Sequence, residues 1–339
     1  MPAARRGRDA TRFCRPRILN ATTTTAYNPA LARYAKCVVA ATFALLFIGG
    51  LVTSYQAGMA VPDWPLSFGS LNPEGWWGNF PVRLEHGHRL FASMVGLLVT
   101  VLFFWVWFSE GRTRALRWLT LAALIGVILQ GVLGGLRVTI ETAGNPHLAL
   151  RLRILHACVA QAELCVLVAI ATLLSRGWIM DARTSVGAGF SAIKRLAWAA
   201  VFAVYGQLVI GAAMRHKGAG LAIPTFPEAN EDGGFLPKVH NIFIDLNFTH
   251  TRFGAVFVTL LILALAVLVL RRARGEVRLT SPAIGLLGLV LVQVSLGVYV
   301  IWHVKPITLT TIHVVNGAAV LALSLLVALR AGRFAEVKP

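Results

Sequence analysis

The feature of this sequence that most limits its fold is a series of eight long apolar runs. A helix needs about 20 apolar residues to cross a hydrocarbon core of about 30 Å, because each residue advances it by about 1.5 Å. A chain that is 57% hydrophobic and only 14% charged cannot dissolve as an ordinary globule. The sequence therefore predicts an all-α membrane protein with eight transmembrane helices, near residues 37–56, 87–108, 118–137, 152–174, 196–214, 248–270, 281–302 and 308–329.

The formal net charge of +18 is distributed unevenly between the two sides of this predicted topology. Almost all the excess of lysine and arginine falls in segments that share a side with both termini. The densest of these is the short loop that contains Arg271, Arg272, Arg274 and Arg278. Cytoplasmic loops of membrane proteins are enriched in basic residues, so the pattern places both termini in the cytoplasm. It also removes the need for a nucleic-acid partner to explain the charge.

The second half of the chain repeats the first after a shift of 162 residues. Residues 57–65 align without a gap on residues 219–227, with five of nine positions identical, and His88 falls on His250. Each repeat contains an even number of spans, so the two repeats are parallel and related by an axis along the membrane normal. The repeat predicts two related four-helix bundles.

These patterns divide the chain into five parts. Residues 1–36 form a basic tail on the cytoplasmic side, for which an Arg-rich organelle presequence is the alternative. The N-terminal bundle covers residues 37–174 and the C-terminal bundle covers residues 196–329, joined by an inner linker at 175–195. Residues 330–339 form an inner tail.

All nine histidines are predicted in outer loops or at the outer ends of spans. Four of them open the even-numbered spans: His88, His156, His250 and His313. A histidine within a span is costly unless it has a partner, and two on facing helices of one bundle suit axial ligation of a haem iron. The alternatives are histidines bonded to nearby carbonyls, or zinc, for which the second bundle offers no further acid or cysteine.

The carboxylates distinguish the two halves. Glu85 precedes His88 by one helical turn, but its counterpart in the second half is Asn247. Glu163 follows His156 by two turns, where the second half has Val320. An acid in an apolar site can transfer protons, which predicts chemistry in the first bundle and only cofactor binding in the second. The alternatives are a helix-end acid for Glu85 and a neutral buried carboxyl for Glu163.

Two arginines lie close to the histidines that open the second and sixth spans. Arg89 follows His88 directly and Arg252 follows His250 by two residues. An arginine fork matches a carboxylate, so both are candidate contacts of haem propionates. Ordinary extension of an arginine toward the membrane interface is the alternative.

At this point the sequence resembles the haem A synthases, membrane enzymes that oxidise a methyl group of haem O to the formyl group of haem A. The resemblance covers all eight spans and rests on residues 49–53, 57–65 and 85–89, followed by three later histidines in matching order. It implies that His88 and His156 hold the substrate haem and that Glu85 takes part in catalysis. It implies further that a haem b cofactor is bound by the remaining pair, His250 and His313.

The sequence departs from this family in two places. It lacks the cysteine pair that many members have in the first outer loop, and Thr251 is inserted between His250 and Arg252. The resemblance also implies a haem O synthase as the upstream partner, and it leaves the electron partner and a homo-oligomeric state open. We expect a bacterial cytoplasmic membrane rather than a mitochondrial inner membrane.

Two other functions compete with this interpretation. A dihaem b electron-transfer protein would explain four histidines, but it would not explain why Glu85 has no counterpart. A haem exporter or chaperone is suggested by Trp76 and Trp77 in the first outer loop, but it predicts a transient outer haem site rather than a second buried histidine pair.

Overall fold

The computed structural model of the protein is almost entirely helical. Most of the predicted basic tail and the end of the inner tail lie outside the described residues. The structure describes residues 27–109, 111–180, 185–186, 190–333 and 335–336.

The described residues contain eight helices that are long and apolar enough to cross a membrane, which confirms the predicted all-α membrane fold. They are α1 Pro29–Ser54, α2 Phe80–Phe108, α3 Arg114–Thr142, α4 Pro146–Leu173, α5 Phe190–His216, α6 Ile242–Arg272, α7 Val277–Trp302 and α8 Ile307–Ala331. The short elements are the single turns Ala57–Met59, Arg176–Ile179 and Ala219–Leu221, and the parallel strand pair Ser185–Val186 and Ala335–Glu336.

Several helices extend beyond the apolar runs that predicted them. Helix α1 begins at Pro29, where the side chain of Asn28 accepts hydrogen bonds from the amides of Ala30 and Leu31. Residues 29–36, predicted as part of the basic tail, are therefore helical. Hydrophobicity locates the membrane core, whereas capping residues decide where a helix starts, and this one starts well before the core.

Helix α2 likewise begins at Phe80, after the capping side chain of Asn79, rather than near residue 87. Glu85, His86 and His88 thus all belong to one regular helix. This places the first motif one to two turns inside α2, so that helical geometry governs which neighbours its side chains contact.

The helices pack in two groups of four. In the first group α1 contacts α2 and α4, α2 contacts α3, and α3 contacts α4; in the second, α5 contacts α6 and α8, α6 contacts α7, and α7 contacts α8. The groups meet where α1 and α4 pack against α8 and where α4 packs against α5. Many large apolar side chains on the outer faces are exposed, as expected for surfaces that contact lipid.

Helix α6 is interrupted by one wide turn, Thr249–Gly254, that has π-helical hydrogen bonding. The side-chain amide of Gln207 on α5 donates to the backbone carbonyl of His250 at 2.7 Å, which satisfies an acceptor in this turn. A Cβ at Gly254 would lie 2.0 Å from Oε1 of Gln207, so only glycine fits beside that side chain. Such wide turns accommodate an inserted residue in a helix and often mark functional sites.

Candidate functional site

Each of the four predicted ligand histidines lies against a glycine of the preceding long helix. A Cβ added to these glycines would stand between 2.6 and 3.5 Å from Cε1 of the imidazole. The pairs are Gly49 and His88, Gly134 and His156, Gly211 and His250, and Gly297 and His313. The helices therefore approach closely enough to hold each ring against bare backbone.

The contact of these glycines with the histidines was not predicted from the sequence, although the repeat contained the signal. Gly49 and Gly211 are separated by 162 residues, the same shift that relates His88 to His250. A glycine that recurs at the repeat distance in an apolar helix indicates close approach of another group.

The second histidine pair has the dimensions of a metal site. The ring centroids of His250 and His313 are 6.3 Å apart, which leaves room for one metal ion between two imidazoles when each metal–nitrogen bond is about 2 Å. Nδ1 of His250 lies 3.2 Å from the carbonyl of Gln207, an arrangement that orients the ring. These residues fit a haem iron with two axial imidazoles.

The first histidine pair contains buried nitrogens without partners. Nδ1 of His88 and Nδ1 of His156 are both buried and make no hydrogen bond in the structure. The side-chain amide of Gln130 donates to the backbone carbonyl of His156 at 3.2 Å, as Gln207 does to His250. Among the residues that the structure describes, no three histidine, cysteine or acidic side chains cluster as a protein-only metal site. The two pairs therefore suit haem better than zinc.

Glu85 is buried, with only 2% of its surface exposed, and its carboxylate is fully engaged. Oε2 accepts a hydrogen bond from the amide of Val61 at 2.9 Å, and Oε1 accepts one from Arg89 at 2.8 Å. Arg137 on α3 lies 3.7 Å from the same Oε1. The carboxylate therefore connects α2 with the first outer loop and with α3 beside the histidine pair.

The counterpart of Glu85 in the second half, Asn247, is fully buried and also holds its outer loop. Its side-chain amide donates to the carbonyl of Ala219 at 2.9 Å, and its oxygen accepts from Arg252 at 3.3 Å. The two positions share a structural task, but only Glu85 adds an ionisable group. At this position the predicted asymmetry is thus a difference in charge, because the contact with the outer loop is common to both halves.

Arg89 and Arg252 direct their guanidinium groups into the outer loops. Each donates to main-chain carbonyls of the turn that contains a cis proline, Pro65 or Pro227. The acceptors are the carbonyls of Val61, Asp63 and Leu66 for Arg89, and of Thr225, Pro227 and Glu228 for Arg252. These bonds identify both arginines as loop anchors, and their contact with haem propionates stays a prediction.

The inserted Thr251 is accommodated by the π-helical turn of α6. Arg89 follows its histidine by one residue and Arg252 by two, yet both reach equivalent loop carbonyls, Asp63 and Thr225 among them. The wide turn absorbs one residue without changing the direction of the arginine. The departure noted in the sequence therefore leaves the arrangement of the site intact.

A carboxylate also organises the first outer loop itself. The amides of Phe68 and Gly69 donate to the side chain of Asp63 at 2.7 and 2.8 Å. Partial burial acts to raise the pKa of Asp63, but the hydrogen bonds from Gly69 and Phe68 and the charge of Arg89 outweigh it and lower the pKa. The carboxylate stays ionised at neutral pH, and its hold on the loop is lost only as the pH falls through this lowered value.

Adjacent glycines of α1 contact the two helix groups on either side. Gly49 lies against the ring of His88, whereas a Cβ on Gly50 would lie 2.9 Å from the methyl group of Thr311 on α8. Arg215 on α5 donates to the carbonyl of Gly50 at 2.9 Å. Helix α1 therefore lies against both groups, next to His88 in one and to Thr311 in the other.

His86 and His88 contact different neighbours. Nδ1 of His86 lies 2.9 Å from the hydroxyl of Ser67, and its ring packs on Trp76 of the outer loop. If the chain has the activity that the resemblance implies, His88→Ala should abolish haem A formation. His86→Ala should lower it by less than about tenfold, which corresponds to the loss of one hydrogen bond. Extraction of haems from membranes with equal protein content measures both. Equal loss in two folded variants would assign both histidines to one site.

The glycine contacts predict a graded effect of adding one methyl group. At Gly211 the new Cβ would be 2.6 Å from Cε1 of His250, so the ring must move, whereas at Gly134 it would be 3.5 Å from His156, an ordinary contact. Overpacking costs at least about 1 kcal/mol, so Gly211→Ala should weaken haem binding in the second group by about fivefold or more. Gly134→Ala should be tolerated. The haem content per chain measures both, and full haem content in Gly211→Ala would contradict the close contact.

The chain is similar to known proteins over most of its length. Residues 79–325 match the model of the COX15-CtaA family, which is described as cytochrome oxidase assembly protein. A protein of Beijerinckia indica named "Heme A synthase" is 28% identical in an alignment of length 329 that covers 84% of this chain and 88% of the relative.

Two further relatives with the same name come from other bacteria. The protein of Alkalihalophilus pseudofirmus is 26% identical over 79% of this chain and 86% of its own length. The protein of Lysinibacillus sphaericus is 30% identical over 58% of this chain and 62% of its own length. Because the family match includes all four histidines and well over half of the chain, the chain belongs to the COX15-CtaA family of cytochrome oxidase assembly proteins.

Proposed function

We propose that the chain is a haem A synthase, a membrane oxidoreductase that oxidises one methyl group of haem O to the formyl group of haem A by successive hydroxylations. The observation that carries this proposal is the contrast between two histidine pairs of the same construction. Both pairs rest on glycines, but only the first has a buried carboxylate, Glu85, one turn away. The family relatives that are named for this activity support it.

The two pairs take different haems. His88 and His156 hold haem O, the substrate, in the first bundle, and His250 and His313 hold a haem b cofactor in the second. The buried carboxylate of Glu85, which corresponds to Asn247 in the second bundle, supports this division, and the spacing of the His250 and His313 rings supports an iron between them. When bound, haem b would supply one-electron redox chemistry, and His250 and His313 are the residues that would hold it.

Glu85 is the catalytic residue of the first bundle. Its carboxylate lies between Arg89 and Arg137, which hold it in one position on the face of α2 that also carries His88. A fixed carboxylate can accept a proton or stabilise positive charge that develops on a neighbouring substrate carbon. The loop bonded to Oε2 through Val61 covers this group and limits the access of water.

The carboxylates of the haems require basic partners at the outer ends of the bundles. Arg89 and Arg252 were predicted for this role from the sequence, but their described hydrogen bonds are directed to the loops. Arg137 adds a further candidate, because it is a half-buried cation on α3 that lies 3.7 Å from Oε1 of Glu85; it also donates to the carbonyl of Gly58 at 2.6 Å. We assign the propionates of haem O to the outer face of the first bundle, near Arg137 and Arg89.

The proposed setting is the bacterial cytoplasmic membrane, with both termini in the cytoplasm and both histidine pairs near the outer surface. The basic loop at Arg271, Arg272, Arg274 and Arg278 supports this orientation. A haem O synthase supplies the substrate. The five parts predicted from the sequence remain the proposed domain organisation, with the start of the first bundle moved to Pro29.

The proposal is tested by expressing the chain in bacterial membranes that contain haem O and haem b but no haem A. Haem A should appear in the extracted haems, and it should disappear when His88 is replaced by Ala. Unchanged haem O, with two haem b per purified chain, would instead favour a dihaem electron-transfer protein. Haem bound only at an exposed outer surface would favour a haem exporter or chaperone.

A further inference from the structure

A second buried carboxyl lies in the first bundle, and the proposed reaction does not use it. Glu163 on α4 is only 7% exposed, and its Oε1 makes no hydrogen bond in the structure. Removing a polar oxygen from water without giving it a partner is costly, most of all in a membrane-spanning helix. A group that completes this hydrogen bond is therefore expected beside it.

Glu163 belongs to the same seam between helices as the ligand His156. The two residues are seven apart on α4, which places them on one face, with Glu163 about 10 Å deeper in the membrane. His156 lies against Gly134 of α3, and the carboxyl of Glu163 lies against Gly126 of the same helix. A Cβ at Gly126 would stand 2.0 Å from Oε2, so the absence of a side chain there makes room for the carboxyl.

The second bundle fills the same two positions with apolar side chains. The shift that relates Gly134 to Gly297 carries Gly126 to Leu289, and the shift that relates His156 to His313 carries Glu163 to Val320. Val320 is buried and Leu289 packs against the same apolar core. A glycine–carboxyl pair in one bundle thus corresponds to a leucine–valine pair in the other.

The haems proposed for the two bundles also differ in that one has a polar group where the other is apolar. Haem O carries a long alkyl tail with a hydroxyl on the carbon next to the ring, where haem b has an apolar vinyl group. We propose that Glu163 binds this hydroxyl and thereby selects haem O over haem b in the first bundle. A carboxyl can accept a hydrogen bond from an alcohol in either protonation state, whereas the valine and leucine of the second bundle suit a vinyl group.

The depth of Glu163 agrees with this role. The tail and the propionates leave a haem from opposite edges, so propionates at the outer surface direct the tail toward the middle of the membrane. Side chains of a helix tilt toward its N-terminus, so the carboxyl of Glu163 reaches back toward His156 from the deeper side. This inference rests on the proposed binding of haem O by His88 and His156.

The test measures binding selectivity rather than turnover. Full-length protein with haem b in the second bundle is titrated with purified haem O and, separately, with additional haem b. Glu163→Val, which introduces the residue of the second bundle, should weaken binding of haem O by about tenfold and leave binding of haem b to the first bundle unchanged. Glu163→Gln keeps a hydrogen-bonding group of the same size and should retain most of the preference for haem O.

Gln161 provides a matched control on the same helix. It is equally buried and its Oε1 also makes no hydrogen bond, but it is displaced by about 200° around α4 from Glu163. Gln161→Leu should leave the preference for haem O unchanged. A wild-type preference in Glu163→Val, or an equal loss of both haems, would overturn the inference. If His88→Ala does not weaken binding of haem O, the proposed function itself fails.

Discussion

Replacement of Glu85 by glutamine is expected to lower haem A formation by about 10²–10⁴-fold, the usual contribution of a positioned acid or base. Glutamine keeps the size of the side chain and an oxygen that can accept the hydrogen bond from Val61, but it removes the charge. Haem O or a half-oxidised hydroxymethyl haem should accumulate in the first bundle, because His88 and His156 are unchanged. Haem b should remain, since its bundle is not altered.

Glu141 supplies the control for this experiment. It is another carboxylate at the outer end of the first bundle, and it lies 3.3 Å from an arginine, Arg153. Glu141→Gln should retain haem A formation, and Glu85→Asp should retain part of it because the carboxylate is only withdrawn by one methylene group. Near-normal haem A formation in Glu85→Gln would show that Glu85 only anchors the outer loop and takes no part in catalysis.

Replacement of His250 or His313 by alanine is expected to remove the spectrum of low-spin haem b. On the proposed assignment, each variant removes one of the two imidazoles that would hold the iron. The helices should still insert, because their apolar surfaces determine membrane stability. Absorption spectra of purified protein, with the amount of haem per chain, measure the effect.

Two exposed histidines serve as controls that distinguish loss of an iron ligand from misfolding of the second bundle. His240 and His303 are exposed and occur in the same half of the chain. Alanine at either position should leave the haem b spectrum unchanged. An unaltered spectrum in both His250→Ala and His313→Ala would contradict the assignment of the second pair.

The sequence was sufficient to predict the eight spans and the positions of the four histidines. Both follow from strong signals. Apolar length predicts the spans, and the repeat predicts the histidines, with a shift of 162 residues from His88 to His250 and of 157 from His156 to His313. The helix ends were predicted less well, because Asn28 and Asn79 start α1 and α2 outside the apolar runs. A capping side chain affects one turn only and leaves mean hydropathy unchanged.

The contacts of the arginines could not be predicted from the sequence. Arg89 next to His88 suggested a partner for a haem carboxylate, which stays a prediction. The structure adds hydrogen bonds from Arg89 to the folded outer loop, whose conformation no periodic pattern specifies. The wide turn at Thr249–Gly254 was also missed. A single inserted residue alters the hydrogen bonding of a helix while hardly changing its pattern of apolar residues.

The most direct test of two unlike haem sites in one chain is the identity of the haems that the purified protein carries. Haems extracted from the wild-type protein, produced in cells that make haem O, are separated and identified by mass. We expect one haem b per chain together with one haem O, hydroxymethyl intermediate or haem A. Two haem b per chain, with none of the tail-bearing haems, would contradict the account.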